Sequence, residues 1–323
     1  MFDSVTVTAS ARLHLGFLDM NGGLGRRFGS LGLAIDRPAT RLTLRRAAAP
    51  SAEGPDKERA SRYLAHLARH LGLAKAYALT VHEAIPAHAG LGSGTQLALA
   101  VATALRRLEG LPPDHSNDAL LLRRGARSGI GLGLFEQGGF IVDGGHGART
   151  ATPPVVARLE FPPQWRVIIV LDPRTEGVHG GEEQAAFARL ADFEADLAAE
   201  ICRLVLIKAL PALAEQDIGF FGDAIARLQE IAGAYFAPAQ GGAPYASAAV
   251  ARVMDELRLH GARGTGQSSW GPTGFAFAAD AQEARRLCDI VQATAAAPGL
   301  ELVICKGVNH GVRVEGETFA TIR

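Results

Sequence analysis

The chain has few cysteines, few aromatic residues and no excess of either charge. Its three cysteines lie far apart among 323 residues and show no CxxC spacing, which argues against a disulfide framework or a thiolate zinc site. Lysine plus arginine equals aspartate plus glutamate at 33 each, so no overall basic field attracts nucleic acid or an acidic membrane. No apolar run is long enough to span a bilayer. These absences favour a globular protein of a reducing compartment.

The length and the loop-forming residues of the chain indicate two domains. At 323 residues the chain is long enough for two hydrophobic cores. Two Pro-Pro pairs between Thr152 and Gln164 are typical of a domain junction, which predicts domains at 1–155 and 156–323. The first residues, Met1–Val7, alternate like a strand and resemble neither a signal peptide nor a transit peptide, so we expect a cytoplasmic protein.

The most informative stretch runs from Pro86 to Leu97, between a predicted strand and a predicted helix. Its three glycines alternate with Leu91 and Ser93, and small and apolar residues follow. Glycines let backbone N–H groups crowd towards a ligand, and the N-terminus of a helix adds unpaired donors and a partial positive charge. We therefore predict a loop that binds a phosphate or a diphosphate. The alternative is a tight strand-to-helix turn in which Ser93 caps the helix.

Two segments near the N-terminus provide candidates for binding anions. In the predicted strand Arg12–Leu18, the side chains of Arg12 and His14 share one face, opposite a face of apolar residues. The glycine-rich segment that follows carries Arg26 and Arg27, and arginines on such a loop can fold over an anionic ligand. The alternatives are a solvated strand face and a solvated hairpin connection.

A second glycine-rich stretch, from Ser128 to Gly147, contains only two acids, Glu136 and Asp143. Isolated carboxylates among glycines have few side chains to pair with, so we predict that they bind Mg²⁺ or stabilise the charge of a diphosphate. The alternative is a turn role for Asp143 and a solvated Glu136. A polar loop after a predicted buried strand adds His179 as a further candidate.

Two glycine-rich stretches carry a resemblance to a known superfamily. Pro86–Leu97 resembles the phosphate-binding motif of the GHMP kinases, and Gly264–Phe277 lies where that superfamily has its C-terminal glycine-rich motif. The resemblance implies an α+β fold with two domains, the first with a left-handed βαβ unit and the second a ferredoxin-like α/β sandwich. Many of these kinases carry a catalytic Asp shortly before a Gly-Gly pair, but the corresponding place, near Gly131, holds no carboxylate.

The finer resemblance is to a non-kinase branch, the β-ribofuranosylaminobenzene 5′-phosphate synthase family. Four blocks carry it together: Arg12–Gly22, Gly90–Gln96, Phe135–Gly145 and Gly266–Pro272. It implies the coupling of 4-aminobenzoate to 5-phosphoribosyl 1-diphosphate, with release of CO₂ and diphosphate, in tetrahydromethanopterin biosynthesis. We expect Mg²⁺ as the cofactor, and the family suggests a homodimer. An ATP-dependent small-molecule kinase and a non-catalytic ligand-binding protein are the alternatives.

This interpretation selects two sets of site residues. Expected to take part in catalysis are Arg12, His14, Glu136, Asp143 and His179. The two acids are also the expected ligands of Mg²⁺. Expected to bind the substrates are Asp19, Arg26, Arg27, Gly90, Gly92, Ser93, Gly94, Thr95, Gln96, Gly138, Gly139, Ser268, Ser269 and Trp270.

Overall fold

The computed structural model describes residues 2–125, 128–177, 190–294 and 298–317, which form two β-sheets and the helices packed on them. Within these residues, no helix combines the length and the apolar character needed to cross a bilayer.

Two long antiparallel strands, β1 (Ser4–Asp19) and β2 (Arg26–Ala47), form the centre of the first sheet. The other strands described in it are β3 (Ser51–Glu53), β4 (Ala76–Glu83), β5 (Phe140–Asp143), β6 (His146–Gly147), β7 (Val155–Leu159) and β12 (Arg313–Glu317). The order is β12-β1-β2-β4-β3, with β5 and β6 paired to β2, and β7 paired to β5.

Helices cover one face of this sheet. Helix α1 (Lys57–His70) connects β3 to β4, which run parallel, so the three elements form a βαβ unit. Helix α2 (Ser93–Glu109) consists mainly of small and apolar residues and is buried along almost its whole length. It packs on β1 and β2, and this packing fixes the loop that precedes it. Two short helices, α3 (His115–Leu121) and α4 (Ile130–Gln137), complete this half.

The second sheet is antiparallel. Its strands are β8 (Arg166–Leu171), β9 (Arg263–Gln267), β10 (Gly274–Ala278) and β11 (Glu301–Cys305), in the order β11-β8-β10-β9. The accompanying helices are α5 (Ala195–Leu204), a π-helical turn (Val205–Ala209), α6 (Leu210–Ala214), α7 (Ile218–Phe236), a 3₁₀ turn (Ala237–Gln240), α8 (Ala248–Leu259) and α9 (Ala281–Ala293). A strand, helices, two strands, a helix and a strand follow one another as in a ferredoxin-like sandwich.

One apolar core joins the two sheets. Leu13 and Leu15 of β1 are fully buried in it, together with Phe221 of α7 and with Phe275 and Phe277 of β10. Because side chains alternate along a strand, His14, between Leu13 and Leu15, faces the other way. The middle of β1 is therefore where both halves of the chain meet.

Two strands bear on the predicted division at residue 155. The strand β7 begins at Val155 and pairs with β5, and β12 returns from the second half to pair with β1. The first sheet thus includes strands from both sides of residue 155. The division of the chain there stays a prediction.

Candidate functional site

The glycine-rich loop leads into the N-terminus of α2. Gly92 is the N-cap and has a φ of 78°, a left-handed conformation that glycine adopts without strain, and Ser93 is the first helical residue. The alternative with Ser93 as N-cap is therefore wrong. The Gly92 carbonyl oxygen accepts from the N–H groups of Thr95 and Gln96 at 3.1 Å each. Ser93 and Gly94 are the first two residues of α2, and the helix has no carbonyl oxygen before them to accept from their N–H groups.

The connection between β9 and β10 holds this loop in place. Ser268 Oγ donates a hydrogen bond to the Gly90 carbonyl oxygen (2.8 Å) and accepts one from the His14 N–H (3.0 Å). Thr273 Oγ1 donates to the Ala89 carbonyl oxygen (2.6 Å). A β-carbon on Gly90 would collide with the Ser268 carbonyl oxygen, so this close approach requires glycine. The fully buried Ser268 thus joins β1, the glycine loop and its own loop.

Two guanidinium groups lie at the N-terminus of α2. A β-carbon on Gly92 would lie 2.6 Å from Arg12 Cγ and 3.1 Å from Arg12 Nε. A β-carbon on Gly94 would lie 2.9 Å from Arg124 Nη1. The glycines therefore leave the room that the two arginines occupy. Two cations beside the unpaired N–H groups of a helix N-terminus form a cleft suited to phosphate groups.

His14 is buried two residues further along β1. A bulge between His14 and Gly16 brings the Gly16 N–H to 3.2 Å from His14 Nδ1, to which it donates. Burial and the positive charge of Arg12 hold the pKa of His14 well below its usual value, so the ring is neutral. Because Nδ1 accepts a hydrogen bond, the proton of the ring lies on Nε2. Within the described residues Nε2 has no hydrogen-bond partner.

A cavity of about 30 Å³ lies beside His14, between β1, α7 and the β9–β10 connection. Its walls include the rings of Phe17, Phe236 and Trp270. The Phe17 ring centroid is 4.7 Å from that of His14, and those of Phe236 and Trp270 are 4.6 Å apart. Gln229 fixes another wall, because its Nε2 donates to a β1 carbonyl oxygen at 2.8 Å. The cavity thus combines these aromatic rings with polar side chains, among them His14 and Gln267.

The place where many GHMP kinases carry a catalytic acid is tightly packed and holds no carboxylate. Gly131, in the first turn of α4, accepts a hydrogen bond from Gln96 Nε2 at its carbonyl oxygen (2.9 Å). A β-carbon on Gly131 would lie 3.1 Å from Thr95 Cγ2. A side chain at position 131 would therefore require Thr95 to shift by a few tenths of an ångström.

Asp143 does not fit a magnesium site. It is fully buried, and its carboxylate accepts hydrogen bonds from the N–H groups of Gly129 (2.9 Å) and Gly145 (2.8 Å) and from the Ser128 hydroxyl (3.2 Å). Burial raises the pKa of Asp143, although these donors act to lower it. Since its oxygens are turned towards donors, the geometry supports the turn role that the sequence left open.

Glu136 lies at the opposite end of α4 from Asp143. Its Oε1 is 3.2 Å from His115 Nδ1 on the surface. Asp143 binds Gly129, just before α4, and the eight residues of that helix span about 12 Å. The two acids therefore do not converge on one ion. No three His, Cys, Asp or Glu side chains within the described ranges form a metal-binding group, and the magnesium requirement stays a prediction.

Asp19, Arg26 and Arg27 lie at the far end of the β1–β2 hairpin, roughly 20 Å along β1 from the glycine loop. Asp19 Oδ1 accepts a hydrogen bond from the Asn21 N–H (2.7 Å), which closes the turn. Arg26 Nε donates to the Gly144 carbonyl oxygen (2.7 Å), and Arg27 Nε also donates to a backbone carbonyl oxygen (2.9 Å). The structure does not bring these three residues to the anion cleft, and their contact with substrate stays a prediction.

Of the other predicted residues, Ser269 lines the cavity beside His14, whereas Gly138 and Gly139 lie at the end of α4, away from the cleft. Gly139 donates its N–H to the Val308 carbonyl oxygen (2.6 Å), and a β-carbon on Gly138 would collide with the His310 carbonyl oxygen. These two glycines thus fix the connection between β11 and β12 against the end of α4. His179 lies outside the described residues.

Two features of the site were missed by sequence reasoning. Arg124 is held beside Gly94 by a hydrogen bond to the Tyr63 hydroxyl, and its guanidinium lies 5.5 Å from that ring centroid. In the sequence it is one of several arginines far from the glycine loop. Phe236 and Gln229 belong to α7 in the second half, and no local pattern signals that this helix lies beside β1.

Comparisons with known proteins agree with this architecture. The family model described as GHMP kinases N terminal domain matches residues 58–140, and that described as GHMP kinases C terminal matches residues 209–297. The beta-ribofuranosylphenol 5'-phosphate synthase of Methanothermobacter thermautotrophicus is 32% identical over 294 residues, which cover 84% of this chain and 88% of that protein. The enzyme of the same name from Archaeoglobus fulgidus is 34% identical over 235 residues, 68% of this chain and 74% of that one. The crystal structure of homoserine kinase from Cytophaga hutchinsonii has a TM-score of 0.70 at 18% identity over 98% of both chains, a likeness of fold.

Proposed function

Since the chain belongs to the GHMP kinase superfamily and, within it, to the family of the beta-ribofuranosylphenol 5'-phosphate synthases, we propose that it transfers a phosphoribosyl group to a para-substituted benzoate. The donor is 5-phosphoribosyl 1-diphosphate and the acceptor is 4-aminobenzoate. The products are 4-(β-D-ribofuranosyl)aminobenzene 5′-phosphate, CO₂ and diphosphate. The reaction serves tetrahydromethanopterin biosynthesis, and the enzyme acts as a homodimer.

The observation that carries the proposal is an anion cleft beside which the position of the kinase base, residue 131, is a glycine. Arg12, Arg124 and the first turn of α2 surround a place for phosphate groups, whereas Gly131 is packed against Thr95. A kinase with an aspartate base removes a proton from the hydroxyl group of its acceptor. Ribosyl transfer coupled to decarboxylation has no such proton to remove, so the lack of a carboxylate at position 131 favours it.

The proposed reaction balances without a proton transfer. The bond between ribose C1 and the diphosphate oxygen breaks, and its electron pair leaves with the diphosphate. The ring carbon that bears the carboxylate bonds to C1, helped by electron density from the para amino group. The carboxylate then leaves as CO₂, and the electron pair of that bond restores the aromatic ring. One displacement at C1 turns an α donor into a β product, so no covalent enzyme intermediate is required.

In this proposal the chain supplies binding and electrostatic stabilisation. Arg12, Arg124 and the unpaired N–H groups of Ser93 and Gly94 hold the phosphate groups of the donor and stabilise the charge on the departing diphosphate. Mg²⁺ would come with the donor as its diphosphate complex, because Mg²⁺ keeps several waters and takes substrate phosphate oxygens as ligands. Such a complex does not depend on Glu136 or Asp143 as ligands.

The name of the relatives favours a second acceptor, 4-hydroxybenzoate, whose ribosyl product is a phenol. Both acceptors carry an electron-donating group para to the carboxylate, so the same steps apply to either. Incubation of the enzyme with the donor and an equal mixture of the two acceptors, followed by mass spectrometry of the products, distinguishes them.

Thermal unfolding tests the donor. A ligand that binds only the folded state raises the unfolding midpoint, so 5-phosphoribosyl 1-diphosphate with Mg²⁺ should raise it more than ATP with Mg²⁺ does. Stabilisation by ATP alone, with ADP formed from ATP as a small alcohol is phosphorylated, would support a kinase instead. Stabilisation by either compound without any product would support a ligand-binding protein.

A further inference from the structure

The cavity beside His14 is a feature that the proposed function leaves unused. Its volume of about 30 Å³ accommodates one or two water molecules but no aromatic ring. His14 lines it, is only 2% exposed, and has an Nε2 without a hydrogen-bond partner among the described residues. A buried donor without an acceptor costs free energy, and a ligand that accepts its hydrogen bond removes this cost. The cavity therefore fits a small group that carries acceptor oxygens.

The donor at His14 is fixed in orientation and in charge. The hydrogen bond from the Gly16 N–H to Nδ1 leaves the proton on Nε2, and the bulge in β1 holds the ring in that position. Burial and the neighbouring Arg12 keep the ring neutral by lowering its pKa. A neutral N–H binds a carboxylate less strongly than a guanidinium does. Because a carboxylate loses its negative charge when it becomes CO₂, a neutral N–H group opposes this step less than a guanidinium would.

The position of His14 links the cavity to the anion cleft. Arg12 and His14 share one face of β1 and are roughly 7 Å apart. Arg12 borders Gly92, where the donor phosphates are proposed to bind. Since the ring carbon that bears the carboxylate bonds to ribose C1, that carboxylate must lie near the diphosphate but not on it. A carboxylate that fills the cavity would replace its water and contact the rings of Phe17 and Trp270, and this desolvation favours its conversion to uncharged CO₂.

We propose that this cavity binds the carboxylate of the aryl acceptor, with His14 Nε2–H as the hydrogen-bond donor, and that CO₂ forms there. The inference rests on the proposed function, because it assigns the leaving group of the acceptor to a place in the same site. The bond between the ring carbon and the carboxyl carbon breaks in the cavity, and its electron pair returns to the ring. The step needs no oxidant, reductant or added proton.

Steady-state kinetics of His14→Leu and His14→Gln test the assignment. The hydrogen bond exists in the bound acceptor and weakens as CO₂ forms. Its loss in His14→Leu should therefore raise the KM for 4-aminobenzoate about tenfold or more and leave kcat undiminished. His14→Gln keeps a neutral N–H donor and should bring this KM back towards the wild-type value. Structural damage would instead lower kcat and raise the KM for the phosphoribosyl donor. His66→Leu, at an exposed position on α1, is the matched control.

A second variant changes the cavity and keeps His14. Ala232 lies on α7 and lines the cavity, so Ala232→Val fills part of it. Calorimetric titration should find weaker binding of 4-aminobenzoate in both Ala232→Val and His14→Leu, with unchanged binding of 5-phosphoribosyl 1-diphosphate. Unchanged acceptor affinity in both variants, with normal CO₂ release by the wild type, would overturn this inference and leave the proposed function standing. Absence of CO₂ release by the wild type would overturn both.

Discussion

Replacing Gly94 by alanine separates the stability of α2 from anion binding at its N-terminus. Gly94 is the second residue of α2 and does not have a positive φ, so alanine fits its backbone and gains about 0.5–1 kcal/mol. The new β-carbon would lie 2.9 Å from Arg124 Nη1, so the Arg124 side chain must move away. That movement loses the cation–π contact with Tyr63, which contributes about 0.5–1 kcal/mol, and the hydrogen bond to the Tyr63 hydroxyl, which contributes about 0.5–1.5 kcal/mol. The losses exceed the gain by about 1 kcal/mol, and we expect a small fall in the unfolding midpoint.

The free energy of binding the phosphoribosyl donor should change more than the free energy of unfolding. Hydrogen bonds from a guanidinium to a phosphate contribute about 1.5–3 kcal/mol, so displacement of Arg124 should weaken binding by about ten- to a hundredfold. Isothermal titration calorimetry with 5-phosphoribosyl 1-diphosphate and Mg²⁺ measures this loss. Gly219→Ala is the matched control, since Gly219 is the second residue of α7, has no positive φ, and meets only Asp217 Oδ1 at 3.2 Å.

The affinities of Gly94→Ala and Gly219→Ala for the donor decide whether Arg124 binds phosphate. If Gly94→Ala binds the donor as tightly as Gly219→Ala does, Arg124 and the start of α2 do not hold the donor phosphates. An Arg124→Leu variant should reproduce the affinity loss of Gly94→Ala without its added β-carbon. If Arg124→Leu binds the donor with normal affinity, the affinity loss in Gly94→Ala comes from the added β-carbon and not from Arg124.

Two further substitutions test the roles of buried acids. Asp143→Asn turns an amide NH₂ towards the N–H groups of Gly129 and Gly145, so it should lower the free energy of unfolding by about 1–3 kcal/mol. The Mg²⁺ concentration that turnover requires should stay the same. An altered Mg²⁺ requirement would contradict the turn role of Asp143. At Asp172, burial acts to raise the pKa, but hydrogen bonds, first among them that from Arg174, lower it to about 2. Because this lies below the unfolded value of about 3.9, the carboxylate stabilises the fold above about pH 4 and loses this effect as the pH falls towards 2. Denaturant unfolding of the wild type and Asp172→Asn should therefore differ more at pH 6 than near pH 2, and an equal difference at both would contradict this explanation.

The fold could be predicted largely because its motifs lie on regular elements. The α+β fold of the GHMP superfamily, expected from the resemblance, is confirmed by the family models and the solved structures. The small and apolar residues after Gly94 correctly predicted a buried helix, since such a pattern is compatible with burial on every side. The alternation in β1 correctly predicted that Leu13 and Leu15 are buried together.

The candidate site could be predicted only in part, because its contacts join distant segments. The motif blocks already grouped Arg12, His14, the glycine loop and Ser268, and the structure brings these together. Asp143 was open to two interpretations, because the sequence shows glycines around it but not the direction of their N–H groups. Arg124 had no local signal, since its place depends on Tyr63 of another helix.

The most direct test of the proposed function is release of CO₂ from an acceptor labelled at its carboxyl carbon. The enzyme is incubated with labelled 4-aminobenzoate, or with labelled 4-hydroxybenzoate, and with either 5-phosphoribosyl 1-diphosphate or ATP in the presence of Mg²⁺. We expect labelled CO₂ and diphosphate in equal amounts when 5-phosphoribosyl 1-diphosphate is the donor, and no labelled CO₂ when ATP replaces it. Failure of both acceptors to release labelled CO₂ with that donor would contradict the proposed function.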